Sequence, residues 1–204
     1  MARDHIQPKI YLAVDNCFAS KRWTDPGDWM SIIADMGVKQ VEASADNEID
    51  PLYSTEIYRK KWFDRVADES ARTGVNICNL YSGHGTYTTT GLAHEDESVR
   101  DHIQDDWIKK MIDIAVIQEA GLGFFCHAFN TSILQDKEKY FFHLEDLYKR
   151  LSVLAEYASH KGLTSLGLEQ MYTPHQVPWT ISGARELLHN VYNRSGKPFY
   201  ITID

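Results

Sequence analysis

The chain has 204 residues, of which 43% are hydrophobic and 25% are charged, and its formal net charge is −8. This length fits one domain over residues 1–204 with a substantial core, and the composition is that of an ordinary globular protein. The negative charge argues against a nucleic-acid partner, because phosphate contacts require a surplus of Lys and Arg.

The apolar segments and the cysteines predict a cytoplasmic protein without a membrane partner. No apolar run reaches the roughly 18 residues of a membrane span, and the N-terminus lacks the apolar stretch of a signal peptide. Cys17, Cys78 and Cys126 form an odd set without paired spacing, and each lies in or at the end of a strand-like run. We therefore expect buried, reduced thiols rather than a disulfide framework.

Strand-like runs alternate with helix-like segments along the whole chain. The predicted strands cover residues 10–15, 39–44, 75–81, 123–129, 164–171 and 198–204. Between them, helical patterns run from about 25 to 36, 55 to 72, 97 to 120, 140 to 160 and 180 to 195, each closed by a glycine. This strand–helix–strand repetition requires a parallel sheet.

Two architectures contain such a sheet: an open doubly wound sheet and a (β/α)8 TIM barrel. Glu42 and Glu169 share their strand faces with small or polar residues, whereas the opposite faces are aliphatic. A polar face fits a barrel interior better than a sheet covered by helices on both sides. A complete barrel has eight units and about 250 residues. We therefore predict an incomplete α/β barrel, with about six strands and five helices present and strands seven and eight missing from this chain.

Two of the predicted strands end on a carboxylate, Glu169 and Asp204. Because parallel strands carry their functional side chains at their carboxyl ends, these two residues could share one divalent cation. The alternative is that Glu169 pairs with a buried Lys or Arg and that Asp204 is a frayed terminus.

Further candidate residues fall on the same rim. His84 follows the third predicted strand and His127 lies near the end of the fourth, where histidine binds a metal, donates to a substrate oxygen or transfers protons. A hydrogen-bonded structural histidine is the alternative for both. Glu42, in the second strand, either holds substrate hydroxyls or pairs with an Arg of the rim.

The order of these residues resembles the xylose isomerase-like TIM barrels, the sugar and sugar-phosphate isomerase and epimerase superfamily that also contains endonuclease IV. The resemblance covers the whole chain as the first three quarters of such a barrel. It is carried by four segments: Val41-Glu42-Ala43, Cys126-His127, Leu166-Gly167-Leu168-Glu169 and Ile201-Thr202-Ile203-Asp204.

The resemblance implies a site built around one divalent cation, for which carboxylate and imidazole ligands suit Mn²⁺, Mg²⁺, Co²⁺ or Zn²⁺. In that superfamily strands five to eight each supply one ligand, and Glu169 and Asp204 match the first two. Glu169 would also be the catalytic base, with His84 and His127 on the substrate side. The cation would polarise the substrate carbonyl and stabilise an enediolate.

We therefore expect a metal-dependent isomerase or epimerase that acts on a small ketose or ketose phosphate, in a superfamily whose barrels often form homo-oligomers. The truncated chain is expected to be inactive alone. One rival is an endonuclease IV-like phosphodiesterase, which needs more metal ligands and a basic groove. The other rival is a non-catalytic barrel fragment.

Overall fold

A computed structural model describes residues 10–82 and 89–203 of the protein. Its single sheet has six strands in chain order, and every neighbouring pair is parallel. The strands are β1 (Ala13–Asp15), β2 (Gln40–Ser44), β3 (Asn76–Tyr81), β4 (Gly121–Phe124), β5 (Leu166–Gln170) and β6 (Tyr200–Ile203).

The helices connect consecutive strands. They are α1 (Pro26–Asp35), α2 (Ala45–Glu48), α3 (Glu56–Thr73), α4 (Glu97–His102), α5 (Lys109–Ile117), α6 (Thr131–Leu134), α7 (Lys137–Lys161) and α8 (Ile181–Ser195). A 3₁₀ turn over Asn16–Ala19 follows β1, and a π-helical turn over Ile103–Ile108 joins α4 to α5. In the described part of the chain, no helix is both long and apolar enough to cross a membrane.

Capping residues define most of the helix boundaries predicted from the sequence. Thr180 Oγ1 accepts a hydrogen bond from the Gly183 N–H at 3.0 Å and begins α8. Gly74, Gly162 and Gly196 follow α3, α7 and α8 in the left-handed conformation, where glycine has no Cβ penalty. The helices predicted near 25–36, 55–72, 140–160 and 180–195 are thereby confirmed.

The helix predicted over 97–120 is wrong in its continuity and its end. The π-helical turn interrupts it, and α5 ends at Ile117. Glu119 then takes a left-handed φ of 53°, so the chain leaves the helix before Gly121 is reached. Gly121 is therefore the first residue of β4 rather than a helix cap.

The fourth strand is accordingly shifted from the predicted 123–129 toward the N-terminus. Beyond β4 the backbone turns at His127, which has a φ of 67°. At Gly121 a Cβ atom would lie 2.3 Å from Ser165 Oγ and 2.5 Å from Asn79 Oδ1. Close packing of these side chains, and not a helix end, is what requires glycine here.

The aliphatic faces of the strands pack beneath the helices, as the alternation predicts. Val41, Ala43 and Leu168 are fully buried in the core, whereas Glu42 on the opposite face is only half-buried. Outside the sheet, α1 packs on α3, and α7 packs on both α5 and α8. β6 departs from the pattern: Ile203, expected on the aliphatic face, is 78% exposed, and among the described strands β6 is at the edge of the sheet next to β5.

The cysteines are all free, which confirms the expected reduced thiols. Their expected burial is wrong for one of them. Cys126 is buried and Cys78 is half-buried, but Cys17 is exposed. The reason is that Cys17 lies in the 3₁₀ turn beyond β1 and not in the strand itself.

A buried ion-pair network ties the segment after β3 to α7. Arg100 Nε lies 2.8 Å from Asp146 Oδ2, and Arg100 Nη1 donates to the backbone oxygens of His94 and Glu95 at 2.8 and 2.9 Å. Arg150 Nε lies 2.7 Å from the same Asp146 oxygen. Because both guanidinium groups are buried, the Asp146 carboxylate offsets charge that water does not reach.

Replacing Asp146 by alanine is expected to lower the free energy of unfolding by about 3–5 kcal/mol, because the Arg100 charge is left buried without its carboxylate. Urea denaturation measures the change. The matched control is Asp64→Ala, which removes the exposed Lys60–Asp64 pair and should leave the denaturation midpoint almost unchanged. Equal shifts for the two variants would contradict the structural role given to the buried network.

Candidate functional site

A cavity of about 180 Å³ lies at the carboxyl ends of the strands. Because all six strands contribute residues to its wall, the sheet must curl around it. The carboxyl ends of parallel strands are where α/β barrels hold their active sites. The described wall consists of Asp15, Glu42, Tyr81, Gly123, Phe124, Glu169, Thr202 and Ile203.

Strand register brings the polar members of this wall together. Asp15 of β1 pairs with Glu42 of β2, and Glu169 of β5 pairs with Thr202 of β6. Paired residues in a parallel sheet direct their side chains to the same face. Two neighbouring pairs on opposite sides of the curled sheet therefore face the same partly open cavity.

The Glu42 side chain is fixed by a hydrogen bond from Asn79, its register partner on β3. Asn79 Nδ2 donates a hydrogen bond of 2.6 Å to Glu42 Oε1. Asn79 is itself packed over Gly121, where any Cβ would collide with its amide oxygen. The hydrogen bond occupies one carboxylate oxygen of Glu42, so the other oxygen is the one available to a ligand.

The floor of the cavity is made of backbone. A Cβ placed on Gly123 would lie 3.6 Å from Asn79 Nδ2 and 3.7 Å from both Tyr81 Cβ and Thr202 Oγ1, which are ordinary contacts. On Gly167 it would lie 3.4 Å from Thr202 Oγ1. Two glycines on adjacent strands thus keep open the space between the β3 side of the cavity and the β6 side.

Tyr81 and Cys17 form a pair of neutral groups at the cavity. Tyr81 Oη lies 2.9 Å from Cys17 Sγ. Burial raises the pKa of the Tyr81 phenol, and the hydrogen bond to Cys17 and the charge of Asp15 raise it further. Partial burial also raises the pKa of the Cys17 thiol, although the residue as a whole is exposed. Since both pKa values lie above their ordinary alkaline values, both groups are protonated at neutral pH.

The charged members of the described wall are all acidic. Asp15, Glu42 and Glu169 contribute three carboxylates, and no Lys or Arg occurs among the lining residues that the structure describes. The negative charge of Glu42, second to burial, raises the pKa of the nearby Cys78 thiol. The cavity therefore favours cations and uncharged ligands over anions.

Of the residues predicted from the sequence, Glu42 and Glu169 are brought together in this cavity. His84 and Asp204 lie outside the described residues, so their roles stay predictions. His127 is only 2% exposed, and a Cβ on Gly91 would fall within 1.9 Å of its Cγ. His127 thus lies beneath the backbone after β3 and is not among the described lining residues; its contact with substrate also stays a prediction.

Four polar residues of the site were not among the sequence candidates: Asp15, Asn79, Tyr81 and Thr202. Asp15 ends the first predicted strand, so the strand-end rule that selected Glu169 also applies to it. Thr202 lies on the polar face of the sixth strand. Asn79 and Tyr81 lie two residues apart on the third strand and therefore share one face of the sheet. Only the register with the neighbouring strands shows that this face lines the cavity.

A complete metal centre does not emerge from the described residues alone. Among them, no group of three or more His, Cys, Asp and Glu side chains is arranged to hold a metal ion. Glu169 offers the carboxylate oxygens that hard divalent cations prefer, but one side chain does not fill a coordination sphere. The described donor set therefore fits part of a cation site and not a whole one.

A larger groove of about 810 Å³ lies between α3 and α5 on the outer surface. Its walls are helical and mix both charge signs, with Lys60, Asp64 and Lys110 beside Phe63 and Ile117. Size alone would favour this groove. The smaller cavity is the better candidate site because six strand ends direct converging polar groups into it.

Comparison with solved structures identifies the fold. A candidate xylose isomerase from Rhodospirillum rubrum superposes with a TM-score of 0.86 at 21% identity, over 96% of this chain and 66% of that one. D-psicose 3-epimerase from Clostridium cellulolyticum, solved with D-tagatose, gives 0.69 at 14%, over 96% and 63%. A xylose isomerase-like TIM barrel protein from Mycobacterium smegmatis in complex with magnesium gives 0.62 at 14%, over 95% and 63%.

The chain therefore has the fold of the xylose isomerase-like TIM barrels, which confirms the predicted α/β barrel class. It spans 63–66% of the length of these three structures. No protein-family model matches the sequence, and no curated protein matches it.

Gly121→Ala is expected to lower the free energy of unfolding by about 1–3 kcal/mol, because the new methyl group displaces Asn79 and Ser165. Chemical denaturation measures this loss. Gly123→Ala is the matched control on the same strand; its methyl group meets only ordinary contacts, so stability should hardly change. A larger loss for the control would contradict the packing assigned to Asn79.

Proposed function

We propose that the protein is a sugar isomerase or epimerase that moves the proton on the carbon next to the carbonyl of a small ketose, through an enediolate. The observation that carries this proposal is the Glu169 carboxylate in the wall of a cavity formed by six strand ends. The shared fold supports the sugar class, because similar structures include a D-psicose 3-epimerase with D-tagatose and an L-ribulose 3-epimerase.

In this mechanism Glu169 is the general base that removes the proton. Thr202, its register partner, offers a hydroxyl beside it, and Glu42 accepts a hydrogen bond from a substrate hydroxyl through the oxygen that Asn79 leaves available. Return of the proton to the opposite face of the same carbon gives an epimer. Return to the former carbonyl carbon gives an isomer.

The proposal includes one divalent cation, Mn²⁺, Mg²⁺, Co²⁺ or Zn²⁺, with Glu169 and Asp204 as two of its ligands. When bound, such a cation polarises the substrate carbonyl. Carboxylate ligation suits these metals, and the similar Mycobacterium smegmatis protein is in complex with magnesium. His84 and His127 are proposed as substrate-side residues.

In a version of the protein that includes strands seven and eight, which is used for all the activity and protection assays, Glu169→Gln is expected to abolish exchange of the ketose α-proton with solvent, because an amide does not act as the base. Exchange into D-fructose or D-tagatose in D₂O, followed by NMR, measures it. Glu156→Gln, an equal change at an exposed position of α7, is the control and should exchange at the wild-type rate. Exchange that persists in Glu169→Gln would remove Glu169 as the base.

The charge of the cavity supports an unphosphorylated substrate. A phosphate dianion near Asp15, Glu42 and Glu169 would meet three carboxylates, and like charges brought together oppose binding by several kcal/mol. Tyr81 and Thr202 offer neutral hydrogen-bonding groups instead, which match sugar hydroxyls. The same charge disfavours the phosphodiester substrate of an endonuclease IV-like enzyme.

We expect kcat/KM for D-fructose to exceed that for D-fructose 6-phosphate by at least about tenfold, because of this repulsion. Both sugars are assayed for α-proton exchange at the same ionic strength. Raising the salt concentration should narrow the difference, since screening weakens repulsion at the partly open cavity. A preference for the phosphate would contradict the proposed substrate class.

A further inference from the structure

The turn after β1 places a thiol against the end of β3. Asp15 Oδ1 accepts a hydrogen bond from the Cys17 N–H at 2.7 Å, which shapes the turn. The buried Asn16 Oδ1 accepts a 2.7 Å bond from the Ser44 N–H, which fastens the turn across β2. Ser44 is the register partner of Tyr81, so the hydrogen bond between the Cys17 thiol and the Tyr81 phenol links the turn after β1 to β3, on the far side of β2.

The hydrogen-bond donors and acceptors of this cluster determine which ligand group it can bind. The neutral thiol and the neutral phenol carry one proton each: one lies in their mutual hydrogen bond of 2.9 Å, and the Asp15 carboxylate accepts the other. Asp15, which lines the same cavity, is a carboxylate and only accepts. A ligand hydroxyl that replaces the contact between Tyr81 and Asp15 would accept the phenol proton and donate its own proton to the carboxylate. A sugar hydroxyl needs that combination, because it is a donor and an acceptor at once.

The cluster lies across the cavity from the proposed base. Sheet order places Asp15, Glu42 and Tyr81 on β1 to β3, and Glu169 on β5. The backbone of Gly123 on β4 separates the two sides. A ligand that touches both Glu169 and Tyr81 must therefore span the glycine floor.

We propose that Asp15, Cys17 and Tyr81 form a hydroxyl-binding subsite that holds the end of the ketose remote from Glu169. This inference rests on the proposed function. Tyr81 donates to the substrate hydroxyl and Asp15 accepts from it, so both determine specificity. Cys17 is a positioning residue that fixes the phenol. The subsite binds an uncharged hydroxyl at one carbon of the sugar, so a sugar that lacks this hydroxyl binds more weakly.

The first test compares Tyr81→Phe with the wild type on D-fructose and on its monodeoxy analogues. We expect Tyr81→Phe to raise KM for D-fructose about tenfold, with a smaller effect on kcat, because it removes one hydrogen bond. For one deoxy analogue, which already lacks the hydroxyl that Tyr81 binds, the variant and the wild type should have equal KM. Tyr192→Phe, on the exposed side of α8, is the matched control.

Variants of Cys17 distinguish a positioning role from a purely structural one. Cys17→Ser keeps a group that bonds to the phenol and should restore most of the KM that Cys17→Ala loses. If Cys17 had a purely structural role, Cys17→Ser and Cys17→Ala would both change the thermal stability. The ratio of variant KM to wild-type KM would then be the same for fructose and for each deoxy analogue. That outcome would overturn the positioning role.

The second test does not depend on turnover. Cys17 is exposed, whereas Cys126 is buried and serves as an internal reference. Iodoacetamide labelling of each cysteine, run at alkaline pH and followed by peptide mass spectrometry, should slow at Cys17 when D-fructose is added. In Tyr81→Phe the protection should require a higher sugar concentration.

The outcomes distinguish the two proposals. If the wild type exchanges the α-proton of fructose while Tyr81→Phe keeps its KM and Cys17 gains no protection, the subsite is refuted and the proposed function stands. If no ketose exchanges its proton and none protects Cys17, the proposed function fails and the subsite fails with it.

Discussion

Parallel pairing of the six strands in chain order sets the direction in which each strand presents its final side chains, and the site depends on that direction. Because paired residues face the same side, Asp15, Glu42, Tyr81 and Glu169 converge at one end of the curled sheet. The opposite face of the same strands is aliphatic and is buried beneath the helices. The hydrophobic packing that stabilises the fold therefore also places the polar groups.

Convergence alone would not leave room for a ligand, and the glycines of β4 and β5 supply that room. Gly121 admits Asn79, which in turn holds Glu42, while Gly123 keeps the floor free of side chains. Three carboxylates then surround a space that the neutral phenol of Tyr81 and the hydroxyl of Thr202 also line. Such a lining suits a neutral polyhydroxy ligand, and its charge is also compatible with a bound cation.

The features that follow from local sequence periodicity were predictable. Alternation along β2 and β5 identified the inner faces of Glu42 and Glu169, and the glycines after α3, α7 and α8 marked their ends. Features set by long-range contact were not. In the sequence Gly121 has the position of a helix cap, but in the structure its role is to make room for Asn79 and Ser165. The Cys17–Tyr81 contact joins residues 64 positions apart. His127 lies at a strand end in the sequence, but a left-handed turn buries it beneath Gly91.

The most direct measurement of the central claim is a crystal structure of the protein soaked with D-tagatose. We expect the sugar inside the strand-end cavity, with the hydrogen-bearing carbon next to its carbonyl facing Glu169 and a remote hydroxyl within hydrogen-bond distance of both Tyr81 and Asp15. A sugar bound instead in the groove between α3 and α5, with the strand-end cavity holding only water, would contradict it.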